Sequence, residues 1–224
     1  MPGGARSPAR GHLSQGNGRT LSIDCSTDAC SVALFEQDEL ITGELRMLGR
    51  GHAEALVPMI SALPDRGRAQ RIVVSLGPGS FTGVRVGLAA ARALALAWNA
   101  QLQGYSTLAL VAAMAREQLG HVPVGVAMTG GHGEWFVQGF GDTGCPLAKQ
   151  ISLTPAAAAQ AIGEEFVAGS QAEALVELRG FGTAISLPPD ARAIRMLDPE
   201  HFVSDVSPLY GRAPDARLPA TQTP

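Results

Sequence analysis

The stretch Ser75-Leu76-Gly77-Pro78-Gly79-Ser80-Phe81-Thr82-Gly83-Val84-Arg85-Val86-Gly87 constrains the fold most. It follows an apolar run, Ile72-Val73-Val74, that reads as a buried strand. It precedes the Ala/Leu-rich run Leu88 to Trp98, which reads as a helix. Strand, turn and helix start are therefore consecutive. Pro78 fixes its own φ, while Gly77 and Gly79 reach backbone angles that other residues avoid. Ser80 or Thr82 can cap the first helical N–H groups. Such a turn can cradle an anion at a helix N-terminus, or it can be a tight connection and nothing more. The spacing is neither the P-loop pattern nor the dinucleotide fingerprint. No Lys follows the last glycine, and Gly77-x-Gly79-x-x-Thr82 lacks a third glycine in register. Gly83 and Gly87 stand four apart on the helix, where each costs roughly 1 kcal/mol relative to Ala. The pair predicts that another backbone comes close to that helix face.

Composition narrows the class. The chain has 224 residues, 46% of them hydrophobic, enough for a substantial core. A net charge of −3 argues against broad electrostatic binding to nucleic acid. Cys25, Cys30 and Cys145 make an odd count without a CxxC pair, which fits a reducing compartment and a cytoplasmic location. No run reaches the roughly 18 apolar residues that span a bilayer, since Arg92 interrupts Leu88 to Trp98. Residues 1–18 are Gly/Pro/Ser/Arg-rich without an apolar h-region, and are expected to be a disordered leader.

In chain order, three strands open the chain: one running through Leu21-Ser22-Ile23 into Asp24, then Cys30 to Phe35, then Leu40 to Leu45. A polar turn over Glu36 to Glu39 joins the last two. His52 to Leu63 places Leu56, Met59, Ile60 and Leu63 at helical spacing. Leu102 to Tyr105 reads as a strand, and Thr107 to Gln118 as a helix capped by Ser106 or Thr107. Strands follow over Pro123 to Met128, Glu134 to Phe140 and Ile151 to Leu153. Thr154-Pro155 opens a helix over Ala156 to Ile162, Phe166 to Gly169 is a strand, and Ala191 to Leu197 a short helix. The order predicts an α/β fold with an N-terminal lobe over 19–105, a C-terminal lobe over 106–212 and a mobile tail over 213–224. Asp24, Ser26 and Thr27, at the end of the first strand, could meet a metal–nucleotide. The competing reading, which we favour, is that they satisfy their own turn. The five histidines are scattered without metal-ligand spacing.

Three groups of residues resemble the bacterial TsaB (YeaZ) family. They are Ile23-Asp24-Cys25-Ser26-Thr27-Asp28-Ala29-Cys30-Ser31-Val32-Ala33, His52-Ala53-Glu54, and Gly77-Pro78-Gly79-Ser80-Phe81-Thr82-Gly83-Val84-Arg85-Val86-Gly87. Gly104-Tyr105-Ser106-Thr107-Leu108 and Pro208-Leu209-Tyr210-x-Arg212 also fit. The resemblance implies an actin/Hsp70/sugar-kinase-like (ASKHA) fold with two similar lobes. It implies a non-catalytic partner of a TsaD-like catalytic subunit, with a TsaE-like ATPase as a further partner. Together these make N6-threonylcarbamoyladenosine at position 37 of tRNA. No cofactor is expected on this chain alone; the complex is expected to use ATP, a metal in TsaD and threonylcarbamoyl-AMP.

The first-lobe helices are the implied partner interface, through His52, Leu56, Met59, Thr82, Gly83, Arg85, Val86 and Gly87. Those helices could also pair two copies when the partner is absent. Gly77, Pro78, Gly79 and Ser80 shape the structural turn. TsaD carries a metal-binding His pair where this chain has Ser106-Thr107-Leu108-Ala109-Leu110-Val111, which lacks imidazole, carboxylate and thiolate. The family's Asp-Ala-Arg-x-Gly-Glu pattern is replaced here by Thr129-Gly130-Gly131-His132-Gly133-Glu134, where only the Gly-Glu pair remains. A free-standing kinase or ATPase of the same superfold is the alternative, and a peptidase a more distant one.

Overall fold

A computed structural model describes residues 18–209. The expectations for 1–17, Tyr210, Arg212 and the 213–224 tail lie outside the described residues.

Two five-stranded sheets are built to one plan. The first holds β1 (Arg19–Asp24), β2 (Ala29–Glu36), β3 (Glu39–Met47), β4 (Arg71–Ser75) and β5 (Gln101–Tyr105), in the order β3-β2-β1-β4-β5. The second holds β6 (Val124–Thr129), β7 (Trp135–Phe140), β8 (Ile151–Leu153), β9 (Phe166–Ala168) and β10 (Thr183–Ile185), in the order β10-β9-β6-β7-β8. Read in the reverse direction, β8-β7-β6-β9-β10, the second sheet repeats the first. In each, an antiparallel meander of three strands is extended by two parallel ones. The helices repeat too. In the first lobe α1 (His52–Ala62) and α2 (Phe81–Trp98) join β3 to β4 and β4 to β5, and α3 (Thr107–Leu119) follows. In the second lobe α4 (Pro155–Ala161) and α5 (Ala172–Arg179) join the equivalent strands, and a 3-10 helix, Ala191–Met196, takes the place of α3.

Strand alternation sorts the core into layers. Leu21, Ile23, Val32, Leu34, Ile72 and Val74 face α1 and α2. Ala33, Phe35 and Val73 face the other way, into a core shared with α3, the 191–197 segment and Val124, Val126 and Met128 of the second sheet. Ala127, Val137 and Val167 cover the far face under α4 and α5. The middle layer thus belongs to both lobes, so the expected boundary at 106 separates the sheets but not the packing. The chain after 190 returns to the first lobe. Ala191 N–H donates to Ser31 Oγ at 2.9 Å, Val203 pairs with Gly104, and Leu209 N–H donates to the Leu76 carbonyl at 2.8 Å.

Local chemistry explains most element ends. Gln37 and Asp38, both at positive φ, make the tight turn between β2 and β3. Ser80 Oγ accepts from Gly83 N–H at 3.2 Å, the side-chain cap expected for α2. Neither Ser106 nor Thr154 caps its helix through its side chain. The α2 helix starts seven residues earlier than the Ala/Leu run. Its 18 residues are long and apolar enough to cross a membrane. One face of it, with Val84, Leu88 and Ala91, packs against the first sheet, and the opposite face is exposed. The α5 helix and β10 were not expected. They are short, and Gly180 and Gly182 separate them.

Candidate functional site

Between the lobes lies a cavity of about 970 Å³. One wall is the β1–β2 loop, Ser26 to Asp28, with the glycine turn and the first residues of α2. The opposite wall is the β6–β7 hairpin, Thr129 to Glu134, with Ser152, Ser170 and Ser186. Pro208 and Leu209 line it as well.

The glycine turn reaches this wall because it has nowhere else to go. Gly77 adopts φ +87°, and Thr107 N–H donates to its carbonyl at 2.9 Å. Ser80 N–H donates to the Ser26 carbonyl at 2.7 Å. A Cβ on Gly79 would lie 1.9 Å from that same carbonyl oxygen, so only glycine fits. Turn and β1–β2 loop are thereby locked into one wall.

Asp24 sits behind that wall, 1% exposed and outside the cavity lining. Its Oδ1 accepts from Ser26 N–H at 2.8 Å and Ser26 Oγ at 2.6 Å, and its Oδ2 from Tyr105 Oη at 3.0 Å. The Asp24 carboxyl is therefore bonded to its own turn and to Tyr105 of β5. Thr27 Oγ1 likewise accepts from Ala29 N–H at 3.2 Å. Burial raises the Asp24 carboxyl above its usual range, more than the bonds from Ser26 and Tyr105 lower it. The Tyr105 hydroxyl is raised well above its usual value by burial and by Asp24.

The folded chain holds the Asp24 proton to higher pH than the unfolded chain, which releases it near about pH 4. Stability from this group is present below that value and is lost as pH rises through the raised folded one. Asp24→Asn removes the titration and keeps an acceptor for Ser26. The melting temperature of this variant, relative to the parent, is expected to climb from pH 4 to pH 7. A flat or falling difference would refute the buried-acid account.

The expected interface residues divide sharply. His52, Leu56 and Met59 are buried at 8%, 1% and 1%. His52 Nε2 lies 2.8 Å from the Thr27 carbonyl and 3.3 Å from that of Ala29; facing two acceptors, it carries the proton and donates, tying α1 to the β1–β2 loop. Gly83 and Gly87 are also buried. At Gly83 the backbone that approaches is the chain's own, and at Gly87 the neighbours are side chains. A Cβ on Gly83 would lie 2.0 Å from the Cys25 carbonyl oxygen, and one on Gly87 would lie 3.5 Å from Cys25 Cβ. The placement of these five residues on a partner-facing surface is thus corrected. Thr82 is exposed, and Arg85 and Val86 are half-buried. The Arg85 guanidinium sits 3.1 Å from the centroid of the Phe81 ring.

The outward face of the same helices was missed. On α2 it carries Ala89, Ala93, Ala97 and Leu96, the last 87% exposed; on α1 it carries Ala53 and Val57, the latter 59% exposed. The signal was present in the helical periodicity, since these positions are the complement of the buried ones. In the second lobe, Glu134 accepts from Ser152 Oγ at 2.7 Å, a partner not visible in the sequence. Thr129 Oγ1 is within 3.1 Å of Ser170 Oγ and accepts from Gln171 Nε2 at 2.8 Å. The altered hairpin is thus braced by its own lobe. Among the described residues, no group of three or more His, Cys, Asp or Glu could hold a metal ion.

Two lobes of one topology, with a cleft between them and the final helix of each in a shared middle layer, define an ASKHA-type α/β protein. Residues 46–189 match the family model described as TsaD, tRNA N6-adenosine threonylcarbamoyltransferase. The chain belongs to that family. It is 36% identical over 121 residues to the tRNA threonylcarbamoyladenosine biosynthesis protein TsaB of Escherichia coli (strain K12), covering 52% of each chain. It is 35% identical over 101 residues to the protein of the same name in Bacillus subtilis (strain 168), covering 43% of this chain and 44% of that one. The match thus spans about half the length of these curated relatives. The solved structure of YeaZ from Pseudomonas aeruginosa superposes over 85% of this chain and 100% of its own, with a TM-score of 0.71 at 25% identity.

Proposed function

We propose that this chain is the scaffold subunit of the assembly that makes N6-threonylcarbamoyladenosine at position 37 of tRNA, binding and activating a TsaD-class catalytic subunit. The observation that carries the reading is the apolar residues left open on α1 and α2, of which Leu96 is the most exposed. Monomeric proteins rarely leave such a patch uncovered. A second feature supports it. Leu108 to Ala112, where TsaD carries its metal-binding imidazoles, are buried core in the middle layer. That segment packs two sheets together and has no side chain with which to ligate. Catalysis, the metal and the threonylcarbamoyl-AMP donor therefore belong to the partner. ATP enters through the assembly and its TsaE-like ATPase, and tRNA is met through the complex. Without the partner, the same face pairs two copies of this chain. The assembly works in the cytoplasm, where tRNA is modified.

Reconstitution tests this. Purified TsaD-class subunit, TsaE-like ATPase, threonylcarbamoyl-AMP synthase, ATP and unmodified tRNA are incubated with and without this chain, and nucleosides are resolved by mass spectrometry. Modified adenosine is expected to accumulate only with the chain present. Equal product in its absence would end the proposal.

A further inference from the structure

Cys25 follows β1 directly, and Cys30 is the second residue of β2. In that ladder Asp24 faces Ser31, so Cys25 and Cys30 form the next opposed pair. Opposed residues of an antiparallel pair project to one face. The two sulfurs accordingly lie 3.6 Å apart, in the core beneath α1 and α2. Opposed Cα atoms, about 4.5–5.5 Å apart, fall within the range that a disulfide spans. The pair is also polarised. The bond from Cys25 lowers the Cys30 thiol, whereas Cys25 is raised by that bond and by burial.

We propose that Cys25 and Cys30 are a reversible redox pair that closes to an intramolecular disulfide when the chain meets a peroxide. The Cys30 sulfur attacks one peroxide oxygen and the O–O bond breaks; the departing hydroxide takes the proton given up by the Cys30 thiol and leaves as one water, with a sulfenic acid on Cys30. The Cys25 sulfur then attacks that sulfenic sulfur, the S–O bond breaks, and the released hydroxide takes the Cys25 proton as a second water. Two thiols and one peroxide give one disulfide and two waters; the sulfurs lose two electrons and the peroxide gains them. A small thiol such as glutathione reopens the bond by exchange. Both sulfurs are buried, so peroxide enters when the short loop from Ser26 to Asp28 opens locally, breaking its bonds to Ser80 and His52. Asp28 in that loop is exposed at the cavity wall.

Closing the pair draws the sulfurs from 3.6 Å to about 2.05 Å. Cys25 has no slack in which to do this quietly. Its carbonyl lies against Gly83, its Cβ and Sγ lie beside Gly87, and the next carbonyl holds Ser80 N–H. The displacement is passed to the first two turns of α2 and to the loop lining the cleft. An effect on partner binding rests on the proposed function; the bond itself does not.

The sequence offers a clean measurement. Thr20 to Arg46 is one tryptic peptide with both cysteines, and Cys145 lies in a separate one. The folded, full-length protein is treated with hydrogen peroxide, alkylated, and digested without reductant. The Thr20–Arg46 peptide is expected to carry no alkyl group and to be lighter by two hydrogens, and dithiothreitol is expected to restore both alkylation sites. Cys25→Ala and Cys30→Ala, each confirmed folded by circular dichroism, are expected to abolish the mass loss. Two alkylated thiols in this peptide, in protein whose Cys145 has been oxidised, would overturn the proposal. So would a bridge that forms only in urea. No partner enters this readout, so its failure is separate from failure of the scaffold reading.

Discussion

Gly83→Val is expected to unfold the first lobe, whereas Gly87→Ala, one turn further along the same helix, is expected to stabilise it. At Gly83 the first added carbon would stand 2.0 Å from the Cys25 carbonyl oxygen, and that atom is backbone at the end of β1. Relief requires moving either the central strand of the sheet or the start of α2, and α2 is fixed by Ser80 on both sides of its cap. Losses above about 4 kcal/mol come from clashes of this kind, and they rival the whole stability of an ordinary domain. At Gly87 the added carbon meets Cys25 Cβ at 3.5 Å and Val74 Cγ2 at 3.7 Å, ordinary contact distances. Ala there recovers up to about 1 kcal/mol of helix propensity. Urea midpoints and far-ultraviolet circular dichroism separate the two. A folded Gly83→Val with a parental midpoint would show that the helix does not press on Cys25.

The contrast between these glycines also shows what the sequence could and could not tell. Four-residue spacing on a helix predicted a close backbone along the face of both glycines, and one is found at Gly83 but not at Gly87. The spacing could not say whose it is. The close neighbour is Cys25, distant in sequence and brought there because β1 and β4 are parallel neighbours with α2 following directly from the glycine turn. The same limit applies to His52, Leu56 and Met59. A period of 3.6 finds the apolar stripe of α1, but that stripe already has a partner in the sheet. The meander, the turn and α1 through α3 were legible because each carries a long periodic run or strong turn chemistry. The α5 helix and β10 were not, because eight and three residues give too short a window for periodicity, and packing on β9 and β6 settles them. The cavity walls come from segments far apart in the chain, so no local pattern announces them. Cys25 and Cys30 show the reverse case. Their spacing matches no redox motif, yet the hairpin register sets them face to face.

Leu96→Glu is expected to leave the chain folded and, on the proposed scaffold role, to abolish binding to a TsaD-class subunit. Leu96 is 87% exposed, so exchanging it for a charged residue changes stability by no more than about 0.5 kcal/mol. The consequence in a complex is different. A specific interface buries at least about 1,200 Å² in total, and a patch carrying Leu96, Ala93, Ala89 and Val57 would place Leu96 in its dry interior. A carboxylate there loses its water without gaining a partner, which weakens binding on the order of 100-fold or more. Ala93→Glu, one turn earlier on the same stripe, is expected to act alike. Leu178→Glu is the control: Leu178 is 53% exposed on α5, in the other lobe, and its exchange is expected to leave binding unchanged. Surface plasmon resonance with immobilised partner reads all three. Parental affinity in both α2 variants would place the contact elsewhere, whereas loss of affinity in Leu178→Glu as well would point to a general effect of added charge. Loss confined to the α2 pair would establish that the helix turns one face to its own sheet and the other to a second protein.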